Sequence, residues 1–194
     1  VLANVDETST VSITVSEGAP VEIVIAQPPQ GVAGVSQTID LSIFDQYGNI
    51  CTTCTQSVEF IAQGPSQSVD AASISGSGRV VFKDGLGQTQ IQTDTMQTVQ
   101  LRLNDAFNAN LNVDSAPDVY IQHAAGTVVS MATEANSVVG SIASVDLTLK
   151  DEFGNIAITE TATFQVTATQ PNGFSAVLDA TITSGVGIVT FTST

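Results

Sequence analysis

The sequence predicts an all-β protein: two tandem antiparallel β-sandwiches, the second lacking its last strands within this chain. Three observations predict it. Apolar and polar residues alternate along most of the 194 residues. No long stretch places apolar residues at helical spacing. The second half of the chain repeats the first at a separation of 106 to 109 residues. Alternation with period two marks strands with one buried and one wet face.

The strands read in order as follows. Val11, Ile13 and Val15 alternate with Ser12, Thr14 and Ser16. Val21, Ile23 and Ile25 form the next run, then Ile39, Leu41 and Ile43. Further strands are expected near Gln88–Gln92 and Thr98–Leu103. In the second half, Val145, Leu147 and Leu149 repeat the pattern. Thr, Val and Ile dominate these runs, since β-branched side chains suit a pleated surface. Gly, Pro, Asn and Asp clusters separate them, as in an antiparallel sandwich.

The repeat is sharpest where LSIFDQYGNI, from Leu41, matches LTLKDEFGNI, from Leu147. Gly34 then maps to Gly140, and Pro65 to Pro171. SGSGRVVF at Ser75 matches SGVGIVTF at Ser184 with a separation of 109. Val11, Ile13 and Gly18 match Val119, Ile121 and Gly126 at 108. A unit of this size is that of an immunoglobulin-like sandwich. The expected domains are residues 1–114 and 115–194. The second copy ends soon after the strand that follows Gly185, so its last two strands have no counterpart. Either further polypeptide completes it, or a strand of another subunit does. The alternating Val11–Val15 segment is a donor under the second reading.

Composition bounds the partners. Nineteen acidic residues face four basic ones, a formal net charge of −15. Arg79, Lys83, Arg102 and Lys150 do not cluster. No nucleic-acid partner is expected, because that needs a basic face to displace phosphate counterions. No membrane insertion is expected either: no apolar run approaches the roughly 20 residues of a spanning helix.

Asp45-Gln-Tyr47-Gly48-Asn49 and Asp151-Glu-Phe153-Gly154-Asn155 each follow an alternating strand directly. Gly and Asn tolerate positive φ, and the Asp can accept backbone N–H bonds, so a strand-ending turn is expected. The competing expectation is a calcium site using Asp45, Asn49, Asp151 and Asn155, since hard cations want converging oxygens. This strand–turn pattern resembles tandem immunoglobulin-like domains of bacterial surface proteins of the invasin and intimin type, and more loosely filamin rod domains. The resemblance implies stacked sandwiches that space, display or crosslink, with no catalytic residue. A fainter echo, LRLNDAFNANL from Leu101, lacks the Gly-Asn order.

Cys51 and Cys54 stand in a C-x-x-C that the second copy replaces by Ala157 and Glu160. The readings are a local disulfide, free thiols, or metal and redox work. A zinc site needs about four ligands, and the single histidine, His123, is remote in sequence. His123 reads as a strand residue at a domain edge. No enzyme is expected, since no G-x-S-x-G elbow or phosphate loop is present. The Gly76-Ser-Gly78 and Gly185-Val-Gly187 pairs read as hairpin turns. Asp70 and Asp179 recur in parallel and read as solvated.

Two functions follow. One is a structural subunit or segment of an extracellular filament, rod or surface layer, with other copies of the same chain as partners. The other is a cell-surface adhesion module that binds a receptor or glycan through end loops such as Gln27–Gly34 and Gly64–Ser68.

Overall fold

The computed structural model describes residues 12–13, 16–64, 74–133, 140–169, 173 and 175–192. Its regular elements are all strands: β1 (Pro20–Ile25), β2 (Gly31–Val32), β3 (Gln37–Asp45), β4 (Ser57–Gln63), β5 (Gly78–Val81), β6 (Leu86–Ile91), β7 (Gln97–Asn104) and β8 (Asp118–Gln122). Then come β9 (Val128–Thr133), β10 (Ile142–Lys150), β11 (Thr161–Thr169), β12 (Ser175–Thr183) and β13 (Val186–Thr192). The expected Val11–Val15 strand, most of the Gly64–Ser68 loop, Asp70, and the Pro65 and Pro171 match lie wholly or partly outside the described residues.

In the first sandwich a sheet ordered β1-β3-β6 faces one ordered β2-β8-β7-β4-β5. Pairing is antiparallel except between β2 and β8, which run parallel. Ile39, Leu41 and Ile43 of β3 meet Phe60 of β4 and Val99 and Leu101 of β7 in one buried core. The alternate residues of β3, Thr38 and Asp40, are exposed. The period-two pattern thus sets which face is dry.

β8 lies beyond the expected boundary at 114/115, yet it pairs with β7 and β2 and buries Val119 and Ile121 in the first core. Those apolar residues have nowhere else to go, so the first unit runs through Gln122.

The second unit has two ladders, β11-β12 and β13-β10-β9, joined in the order β11-β12-β13-β10-β9 only by the Thr183–Val186 pair at the hairpin. Its core is smaller: Val145, Leu147, Leu149, Ala157, Ala180, Ile182 and Val189. Phe164, Val166, Leu178 and Phe191 pack against it half-buried. Among the described residues, no strand covers β11 as β7 covers β4.

The strand register corrects part of the repeat. Ile23 pairs with Ile43, and Val129 pairs with Leu149, so the first strands correspond at 106 residues. Ser42 pairs with Leu86, but Thr148 pairs with Val186, so the later strands correspond at 100. Asp84-Gly85 and Ser184-Gly185 are the matching hairpin turns, with φ of 52° and 72° against 53° and 77°. The Ser75/Ser184 match is therefore a local likeness out of register. Gly76 instead presses its backbone against the Gln90 carbonyl, with φ 108°, where a Cβ would collide. The intervening loop is shorter in the second unit, which shifts the frame. Among the described residues, β2, β7 and β8 have no counterpart in the second unit. The Gln88–Gln92 strand, β6, has its counterpart in β13.

Candidate functional site

The two Asp-x-aromatic-Gly-Asn turns are built alike. In the first, the Asp45 N–H donates to the Asn49 carbonyl at 2.9 Å, and Gly48 N–H returns to the Asp45 carbonyl at 3.1 Å. Gly48 takes φ 80°, a left-handed conformation that disfavours a Cβ. The Asp45 carboxylate is buried and fully engaged. Its Oδ1 accepts from Tyr47 N–H at 2.8 Å and Asn49 N–H at 2.9 Å. Its Oδ2 accepts from Gly18 N–H at 2.8 Å and the Asn49 amide at 3.1 Å. Asp151 repeats this with Phe153 N–H, Asn155 N–H, Ala124 N–H and the Asn155 amide, at 2.8 to 3.0 Å.

This geometry does not fit the calcium reading. A cation needs oxygens converging on an open position. Here Asn49 and Asn155 turn amide N–H donors toward Asp45 and Asp151, and backbone donors occupy the other lone pairs. Among the described residues no cluster of three His, Cys, Asp or Glu side chains stands close enough to hold a metal.

The same bonds act on the carboxylate pKa values. Burial alone raises Asp45, but the Asn49 amide and the N–H groups of Asn49, Gly18 and Tyr47 outweigh it and hold it at about 2. Burial raises Asp151 too. The Asn155 amide and the N–H groups of Ala124, Asn155 and Phe153 prevail and keep it below the ordinary range. The Thr53 and Thr52 hydroxyls lower Glu17. A carboxylate depressed on folding contributes stability above its unfolded pKa and loses it as pH falls through the folded value. Thermal unfolding should therefore be flat down to about pH 4 and then fall steeply toward pH 2. Asp45→Asn with Asp151→Asn should lower the plateau and flatten that limb. An unchanged limb in the double variant would contradict the assignment.

Each turn also clamps the chain where it enters its unit. Gly18 and Ala124 occupy equivalent positions on Asp45 and Asp151. One residue earlier stand Glu17 and His123. Glu17 accepts from Thr53 N–H at 2.9 Å and from its hydroxyl at 2.7 Å. His123 Nε2 lies 3.2 Å from Thr159 N and 2.8 Å from its hydroxyl. The Thr159 N–H needs an acceptor, so Nδ1 carries the proton and donates to the Ala124 carbonyl at 2.6 Å. His123 thus sits at the link past β8, not within a strand. The correspondence with Glu17 escapes a sequence reading because the two side chains differ.

Cys51 and Cys54 are joined by a disulfide, and both are buried in the first core. Closing so short a loop restricts the unfolded chain little, worth about 2 kcal/mol. Ala157, fully buried, fills the place of Cys51 in the second unit. Cys51→Ala with Cys54→Ala should therefore leave the fold intact at a cost of about 2 kcal/mol, read by denaturant unfolding. Loss of folding would show a larger role.

The two turns differ in what lies beyond them. Phe153 stands over Gly34 of the first sandwich, so closely that a Cβ on Gly34 would overlap the ring. Asn155 spans the junction: its amide donates to the Asp94 carbonyl at 2.7 Å, and its Oδ1 accepts from Met96 N–H at 2.9 Å. Turn two is thus seated on the end of sandwich one. Gly34 was marked in the sequence only as a repeated glycine, and nothing in the sequence marked Asp94 or Met96. The echo motif begins in β7, at Leu101–Asn104, and continues into the loop before β8. Asp105 accepts there from Ala109 and Asn110 N–H, and Arg79 lies over the Phe107 ring.

No protein-family model matches this sequence, and no curated protein matches it. Solved structures do. The chain is similar to FdeC, an Escherichia coli adhesin, at 18% identity and TM-score 0.49, covering 93% of this chain and 58% of that one. It is similar to the Yersinia pseudotuberculosis adhesin InvE at 16% identity and TM-score 0.40, covering 88% and 50%. It is similar to domains 5–6 of the S-layer protein SbsC at 13% identity and TM-score 0.35, covering 91% and 99%. The chain therefore spans about half the length of the two adhesin chains. Bacterial adhesins stand among its structural neighbours.

Proposed function

We propose that this chain is a structural segment of an extracellular rod or surface layer, built from sandwiches stacked end to end. The observation that carries this reading is the junction, where Phe153 and Asn155 fix sandwich two on sandwich one. An interface held by an aromatic ring and two hydrogen bonds between the Asn155 side chain and backbone groups resists bending better than a linker does. The buried disulfide suits an oxidising compartment. The charge of −15 keeps neighbouring rods apart. In such an assembly the uncovered edge of β11 is where a strand from further chain or another copy would pair.

Small-angle scattering tests the reading. The nine residues of β3 span roughly 30 Å at 3.3 Å per residue, so two stacked units should reach roughly 60 Å or more. An elongated, rigid profile is expected. A compact profile, or one that fits only freely moving units, would contradict the proposal.

A further inference from the structure

We propose that the Tyr47–Asn49 turn is itself a docking surface, and that its occupant is the end of another sandwich of this repeat preceding the first. The inference rests on the rod reading and extends it to the other end of the pair. The internal junction shows what such a turn does when a sandwich precedes it. Its aromatic ring covers a glycine, and its Asn reads one carbonyl and one N–H two residues apart.

Among the described residues, the first turn presents the same groups with no other sandwich against them, its ring leaning only on Gly18 of its own unit. Tyr47 is 75% exposed, whereas the seated Phe153 is 41% exposed. The Asn49 amide is spent only on Asp45, and among the described residues its Oδ1 accepts no hydrogen bond. Asn155 places the equivalent oxygen on Met96. The entry clamp is ready as well, with Gly18 on Asp45 as Ala124 is on Asp151. The backbone is thus already set in the junction geometry.

The chemistry names the partner's features. It needs a glycine with left-handed φ, as Gly34 has at 77°, because any side chain would fill the ring's place. It also needs an unpaired carbonyl and N–H spaced as on Asp94 and Met96. The second sandwich carries such a glycine in Gly140, with φ 84° and open space over it. A turn at one end and a glycine at the other make a head-to-tail contact, which propagates instead of closing.

The test is a three-sandwich chain, with an added copy of residues 18–122 directly ahead of Glu17 of the full chain. Tyr120→Phe in both copies, and Tyr47→Phe in the added one, leave Tyr47 of the original as the only tyrosine. Acrylamide quenching of its fluorescence should roughly halve against the two-sandwich chain, as 41% stands to 75% exposure. Gly34→Val in the added copy should restore full quenching while leaving the Tyr47 turn untouched. Unchanged quenching, with the added sandwich folded by its own amide resonances, overturns the proposal. The original Phe153 junction is followed in the same sample by its alignment. A rigid Phe153 junction with a free Tyr47 sinks this inference alone; two loose junctions sink the rod reading as well.

Discussion

Phe60→Ala should destabilise the first sandwich by about 3–5 kcal/mol. Phe60 is fully buried at the centre of β4, between β5 and β7, and faces the β3 residues across the core. Truncation removes most of the ring's contacts, and the surrounding strands are too well paired to collapse into the space. The effect is separable by spectroscopy. The only tyrosines, Tyr47 and Tyr120, lie in the first sandwich, and the chain has no tryptophan. Tyrosine emission in denaturant thus reports that unit, and its midpoint should move strongly to lower denaturant. A shift worth less than about 1 kcal/mol would mean that the core packs differently.

Phe153→Ala should uncouple the two units without unfolding either. The ring's buried face against Gly34 is worth about 1–2 kcal/mol of contact between them, by the usual area relation. Gly34→Val attacks the same contact from the other side. It places a side chain where the ring lies and strains a backbone at φ 77°. Both variants should tumble as two partly independent bodies in amide relaxation, with each unit's strand resonances retained. Asn155→Ala should loosen the junction too, although it also removes a bond to Asp151. Wild-type tumbling in Phe153→Ala would place the coupling elsewhere.

The fold was legible because alternation is a direct imprint of burial. Ile39, Leu41 and Ile43 could only share a dry face, and they do. The Asp45 and Asp151 turns were legible from glycine and asparagine chemistry. What the sequence concealed was frame and company. The Ser75 match hid a loop-length difference, since identical glycines serve a packing contact in one unit and a hairpin in the other. The strand holding Val119 and Ile121 looked like the start of the second unit, because alternation shows burial but not in which core. The Asp and Asn oxygens of the turns invited a cation until the donors around them were counted. The junction was out of reach. Asp94 and Met96 contribute backbone atoms, and a backbone contact leaves no signature in residue type.

On the proposed rod reading, the second turn makes the two sandwiches one rigid stack. Residual dipolar couplings measured on the intact chain in a single aligned sample test it most directly. Tensors fitted separately to the β3, β4 and β7 amides and to the β10–β13 amides should agree in magnitude and orientation, and Phe153→Ala should split them. Tensors that already differ in the wild-type chain would contradict the account, since the units would then be joined by sequence and not by the turn.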